Sequence, residues 1–85
     1  MRAPDRSAVA QELRNFIVPA LGADVGPDED YFARGMLTSL FAIELVAFVE
    51  QRFDLTVEVE DLDLDHFRTI SRLTDFVLAK TGLTL

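Results

Sequence analysis

Eighty-five residues, 49% of them hydrophobic and 27% charged, make a folded chain with room for one core and too little for two. Fifteen acids against eight bases leave a formal charge of -7, which excludes a nucleic-acid binder, because phosphate contacts need clustered Lys and Arg. No cysteine and a single histidine, His66, exclude disulfides, thiolate chemistry, and every mechanism that needs a His pair, a Cys–His pair or a multi-histidine metal site. The whole chain, 1–85, is read as a single domain.

The first predicted element is a helix from about Ser7 to Leu21. Val9, Leu13, Phe16, Ile17 and Leu21 recur at steps of three and four, Asp5 or Ser7 can cap its start, and Gly22 suits the position past its end. From Gly22 to Thr38 the period breaks at Gly22, Gly26, Pro27 and Gly35. A connection of this length is uncommon in a small domain unless it is functional, and Tyr31 and Phe32 are the anchors expected to pin it to the core.

A second helix is predicted from Thr38-Ser39 to about Phe53, with Leu45, Val46, Val49 and Phe53 facing inward and Ala42 above them. Between Leu40 and Val49 only Glu44 is polar. So small a domain cannot bury every side of such a helix, so some of Leu40, Phe41, Ala47 and Phe48 should be exposed and form a docking face. Leu55 to Glu60 alternates like a strand but has no partner strand to pair with. It is read as an extended loop tucking Leu55, Val57 and Val59 inward. A short helical turn follows at about Asp61 to Phe67. The last helix takes Thr69 as its N-cap, buries Ile70, Leu73, Phe76 and Val77, and ends with Lys80 favouring the dipole and Gly82 as the stop. The expected fold is all-α: a small four-helix bundle of three main helices and one short one, with a long loop between helices one and two.

Little in the chain suggests catalysis. Asp61-x-Asp63-x-Asp65 compares with a calcium loop, but His66 stands where the turn needs glycine and Arg72 where a bidentate acid belongs. His66 reads as a surface or capping residue, and Asp28-Glu29-Asp30 as a solvated loop or helix start. There is no glycine-rich phosphate loop and no nucleophile–base pair. The longest clean apolar run, Leu45 to Val49, is far too short to cross a membrane, and the N-terminal residues lead into no apolar stretch. A cytoplasmic, monomeric, non-enzymatic protein is expected, with the apolar second helix leaving self-association open.

The segment Tyr31-Phe32-Ala33-Arg34-Gly35-Met36-Leu37-Thr38-Ser39-Leu40 joins a glycine turn to a serine at the mouth of an apolar helix. Here the chain resembles the acyl and peptidyl carrier protein family, whose attachment motif is a serine usually preceded by aspartate and followed by leucine. The resemblance extends from helix one through Phe53-Asp54-Leu55-Thr56-Val57 to Phe67-Arg68-Thr69-Ile70. It implies covalent 4'-phosphopantetheine, transferred from coenzyme A to Ser39, with Thr38 as the flanking helix cap. The implied partners are a phosphopantetheinyl transferase, an acyl-loading ligase or acyltransferase, and a downstream acyltransferase or synthase with a basic docking surface.

Thr38 departs from the family's aspartate, and Gly35 lies four residues before the serine rather than three. That spacing resembles stand-alone carriers, including D-alanyl carriers and those of polyketide extender units. Ser39-Leu40-Phe41-Ala42 with Asp61-Leu62-Asp63-Leu64-Asp65 downstream looks most like the polyketide group and antibiotic-type pathways. Residues Asp54 to Asp65 hold six acids and no base, which with Glu44 and Glu50 suggests a negative face that steers basic partners. Leu40, Glu44, Ala47 and Gln51 form the expected contact row, with Asp61 and Asp63 beside it. The rival expectation is an acidic helical adaptor that docks through helix two and is never modified.

Overall fold

The computed structural model describes residues 5–36 and 38–81, apart from the side chain of Leu64. The described chain runs α1 (Arg6–Leu21), α2 (Ser39–Phe53), a 3₁₀ turn (Val59–Asp61), α3 (Leu64–Phe67) and α4 (Ile70–Thr81), with no strand among these residues. The all-α bundle expected from periodicity is the fold.

Each main helix begins where a side chain can satisfy its first amides. Asp5 accepts from Ala8 N at 2.8 Å to open α1, Thr38 from Phe41 N at 3.1 Å to open α2, and Thr69 from Arg72 N at 3.0 Å to open α4. Gly22 ends α1 in the left-handed region, φ 69, and its N–H returns to Val18 O. Asp54 closes α2 in the same conformation, φ 52, which a short polar side chain tolerates. Pro19 lies within the last turn of α1 on its exposed side, so the amide it lacks costs only one bond close to the helix end. Gly82, the expected stop of the last helix, lies outside the described residues.

The core is the meeting of α1, α2 and α4, with α1 packed most extensively on α4. Val9, Leu13 and Ile17 from α1, Phe41, Leu45 and Val49 from α2, and Ile70, Leu73, Phe76 and Val77 from α4 are buried. These three stripes follow the helical period, which is why periodicity located them. Phe16 stacks on Phe48 with ring centroids 4.3 Å apart and thereby closes the α1–α2 seam.

The long connection is held as expected by Tyr31, which is fully buried, and by half-buried Phe32. Tyr31 donates its hydroxyl to Phe67 O at the end of α3. Burial, with Asp30 nearby, pushes the phenol well above its ordinary pKa, so it remains a donor.

Two expectations need correction. Val59 is 81% exposed rather than tucked inward. Asp61 N bonds Glu58 O at 3.0 Å while Asp61 Oδ2 accepts from Glu58 N at 2.9 Å, and this reciprocal pair curls the chain after Val57 so that Val59 falls outside the turn. Leu55 and Val57 do pack on the core. On α2, Phe41 is buried while Val46 and Phe53 are only half-buried, because the inward row is Phe41, Leu45, Val49. Glu50, while keeping its charge on this side of the molecule, also accepts from Val57 N at 2.9 Å and folds the α2 exit back on the helix.

Candidate functional site

The site is assembled from the end of the long connection and the first turn of α2. Phe32 O accepts from Gly35 N and Tyr31 O from Met36 N, both at 3.0 Å, so residues 31–36 form a closed turn. Gly35 supplies the left-handed φ of 75 that this closure needs. Tyr31 anchors the turn below, and Thr38 caps the helix that follows.

Ser39 is the first residue of α2 and is exposed. Thr38 Oγ1 satisfies Phe41 N, and Thr38 O takes Ala42 N at 2.9 Å. The amides of Ser39 and Leu40 precede the helical ladder and point out of its start. No acidic residue occupies the first turn, so the positive end of the α2 dipole is uncompensated. The Ser39 hydroxyl thus stands beside N–H groups suited to an anion attached there.

The surroundings are apolar and open. Leu40 and Ile43 are 68% and 67% exposed. A shallow depression of about 300 Å³ runs alongside, lined by Ala20, Leu21 and Met36 on one wall and Leu40, Phe41 and Glu44 on the other.

Leu40, Glu44, Ala47 and Gln51 are all exposed and follow one stripe of α2. Ile43 belongs to the same exposed side and was missed by sequence reasoning. Its position three residues after Leu40 and four before Ala47 was the available signal. Leu62, 59% exposed, and Val59 add apolar surface on the segment before α3.

Asp61 and Asp63 stand on that separate segment and are partly committed to local structure. Asp61 accepts from Lys80 Nζ at 2.7 Å, and this bond together with that from Glu58 N holds its carboxyl below the usual range. The same pairing holds Lys80 above its ordinary value. Asp63 caps α3 by accepting from Asp65 N at 3.0 Å and is exposed. His66 is half-buried and stacks on Phe76 at 5.0 Å, far from Ser39 in sequence and on a different element. Among the described residues no group of three or more His, Cys, Asp or Glu side chains could hold a metal ion. No helix among them is long and apolar enough to cross a membrane.

A solvent-facing serine at the mouth of an apolar helix, backed by free-standing amides and flanked by exposed Leu40 and Ile43, fits a covalently anchored phosphodiester. Residues 11–77 match the family described as phosphopantetheine attachment site, and the chain belongs to it. Relatives sharing this sequence include the D-alanyl carrier protein of Streptococcus suis, 31% identical over 72 residues that cover 82% of this chain and 91% of that protein. The D-alanyl carrier protein of Leuconostoc citreum is 26% identical over 68 residues, 78% of this chain and 87% of that protein. That of Streptococcus sanguinis is 36% identical over 50 residues, 59% of this chain and 63% of the relative, so this match spans less than two thirds of the relative's length. Family membership implies covalently attached 4'-phosphopantetheine. Proteins of this family are carriers rather than catalysts, in keeping with the sequence expectation.

Proposed function

We propose that Ser39 is the attachment residue and that the chain holds an acyl or aminoacyl unit as a thioester on a phosphopantetheine arm, presenting it to separate enzymes. The observation that carries the reading is the exposed hydroxyl at the first position of α2, inside the matched family segment. In this reading Ser39 Oγ attacks the phosphorus that bears the pantetheine arm of coenzyme A. The nucleotide part leaves, and the serine proton passes to the transferase or solvent. Thr38 keeps the helix mouth open for this attack by satisfying Phe41 N, so that the Ser39 and Leu40 amides stay available to the phosphate. The arm, once attached, supplies a terminal thiol for thioester formation.

The partners in this reading are a phosphopantetheinyl transferase, a loading ligase or acyltransferase, and a downstream acyltransferase or synthase. Leu40, Ile43 and Ala47 offer them apolar contact, and Glu44 with the acids that follow α2 offers a negative field. Such a field raises encounter rate more than affinity, so transfer should slow as salt rises. Glu44→Lys should slow it at low salt with the fold unchanged.

Incubation with coenzyme A and a broad-specificity transferase, followed by intact mass, tests the attachment. A gain of one phosphopantetheine in the native chain and none in Ser39→Ala is expected. No gain with any of several transferases would favour the unmodified adaptor.

Two cargo classes are separated by loading. The Ser39-Leu40-Phe41-Ala42 motif favours a polyketide-type acyl unit, whereas the names of the relatives favour an aminoacyl unit such as D-alanyl. Thioester formation from D-alanine and ATP with a D-alanine ligase supports the second, and formation only from an acyl donor with an acyltransferase supports the first.

A further inference from the structure

Arg68, at the junction between α3 and α4, belongs to no element of the site, yet it gathers the base of the loop that carries it. Its buried Nε lies 2.8 Å from Asp30 Oδ2, a charge contact rather than an aligned hydrogen bond. Its Nη1 donates to Asp65 Oδ1 at 2.6 Å. Its guanidinium carbon sits 5.8 Å from the centroid of the Phe32 ring. One side chain therefore touches two residues of the α1–α2 connection and one of α3.

The tie is reinforced on both flanks. Tyr31 donates to Phe67 O, and Ser71 N donates to Pro27 O at 2.8 Å. Phe32, held by Arg68, belongs to the turn that closes through Gly35 N and Met36 N, and Asp30 stands immediately before it. Asp30 Oδ1 also accepts from Ala33 N at 2.8 Å, so the carboxylate stiffens that turn from within. The chain then needs only one intervening residue to reach the Thr38 cap.

We infer that Arg68 is a positioning residue for the chemistry at Ser39: by clamping Asp30, Phe32 and Asp65 together it fixes the turn from which α2 starts, and so the place of the Ser39 hydroxyl. The inference rests on the Ser39 reading. A guanidinium is required because a planar fork can meet two carboxylates while lying over a ring; a lysine ammonium is a point charge and serves only one of these. Loosening the turn leaves the exposed row of α2 intact, so carrier binding to the transferase is preserved while the hydroxyl is misplaced in the bound complex. Small displacements of a reacting group are costly to rate.

The test is transferase kinetics on apo protein with coenzyme A, varying carrier concentration, for the native chain, Arg68→Met, Arg68→Lys, Asp30→Asn and Arg6→Met. Asp30→Asn keeps the oxygen that caps Ala33 and removes the charge. Arg6→Met removes an ion pair to Asp75 and a 3.5 Å bond to Ser71 O, contacts between α1 and α4 that involve none of Asp30, Phe32 and Asp65. Arg68→Met and Asp30→Asn should each lower kcat roughly three- to tenfold with little change in KM, Arg68→Lys should fall between them and the native chain, and Arg6→Met should leave kcat unaltered. The double variant Arg68→Met with Asp30→Asn should lose no more than the worse single one.

A merely structural role gives the opposite split: fewer folded carriers raise the apparent KM and leave kcat in place. That pattern overturns the inference, as does an unchanged kcat in Asp30→Asn should Arg68→Met fail to fold. A native chain that accepts no phosphopantetheine overturns the Ser39 reading itself, a result distinct from either.

Discussion

The threonine that stands before Ser39 replaces the family's usual aspartate, and its role can be separated by two substitutions. Thr38→Ala removes the acceptor for Phe41 N, seen at 3.1 Å, while Thr38→Asp keeps an acceptor and adds a charge at a helix start that has none in its first turn. Loss of an N-cap hydroxyl costs about 1 kcal/mol. In a domain of this size that corresponds to a fall in Tm of roughly 4–8 °C. An aspartate favours the positive end of the helix by about 0.3–1 kcal/mol at low salt, so the order of stability should be Asp above Thr above Ala. Thermal unfolding followed by far-ultraviolet circular dichroism, in low and high salt, reads both effects. Salt should compress the gap between Asp and Thr and leave that between Thr and Ala in place, since screening acts on the charge and not on the neutral hydrogen bond. An alanine variant that melts with the native chain would show that Thr38 does not hold the start of α2. An aspartate variant that melts with the native chain at low salt would show that the helix mouth is already electrostatically compensated.

Two leucines five residues apart on α2 should behave oppositely: Leu45→Ala, at a fully buried position, is expected to cost about 2–5 kcal/mol in urea unfolding, whereas Leu40→Ala, 68% exposed, should stay within about 0.5 kcal/mol and instead slow transfer to partner enzymes. The Asp61–Lys80 bond should give stability a plateau around neutral pH. Asp61 sits below its unfolded value, so its contribution is complete above the ordinary carboxylate range and is lost as pH falls through the folded value; Lys80 sits above its own, so its contribution is lost only as pH rises through that higher value. The stability gap between the native chain and Asp61→Asn should therefore be constant near neutrality and close in acid, as read by denaturant titrations across pH. Glu60→Gln and Asp75→Asn change net charge equally, but only the first should lower the salt-sensitive part of the transfer rate, because Asp75 is already paired with Arg6.

The helices and their caps were legible because they are local. Asp5, Thr38 and Thr69 each sit three residues before the amide they satisfy, and the stripes through Leu13, Leu45 and Leu73 repeat at the helical period. Ser39 was legible as a candidate for the same reason, since a hydroxyl next to a cap is a pattern within a few residues. Contacts between distant segments were not. Arg68 meets Asp30 across the whole of α2, and nothing in the neighbourhood of either residue announces it. Val59 misled because a period-two pattern records alternation and not its end. The Glu58–Asp61 pair that terminates it looks, in sequence, like two more acids in an acidic run. Glu50 carries a second use that net charge does not announce: its carboxylate accepts from the backbone of Val57.

How the acids are used decides what the charge of -7 means. Arg6, Arg14, Arg34, Arg52, Arg68 and Lys80 all engage in ion pairs, and every acid they take lies off α2: Asp75, Asp24, Glu29, Glu12, Asp30, Asp65 and Asp61. Most of these pairs join one element to another, and among the described bases only Arg72 enters none. Among the described residues eight acids enter no ion pair: Glu44, Glu50, Asp54, Glu58, Glu60 and Asp63 lie on α2 or on the segment that follows it, and Asp5 and Asp28 lie elsewhere. The excess charge is therefore concentrated by the folding pattern rather than spread by composition. Surface pairs of this kind contribute little to stability, and their larger consequence is to leave most of the unpaired acids along α2 and at its exit. This arrangement favours the approach of a basic partner along α2 and its exit, where Glu44, Glu50, Asp54, Glu58 and Glu60 stand outside any ion pair.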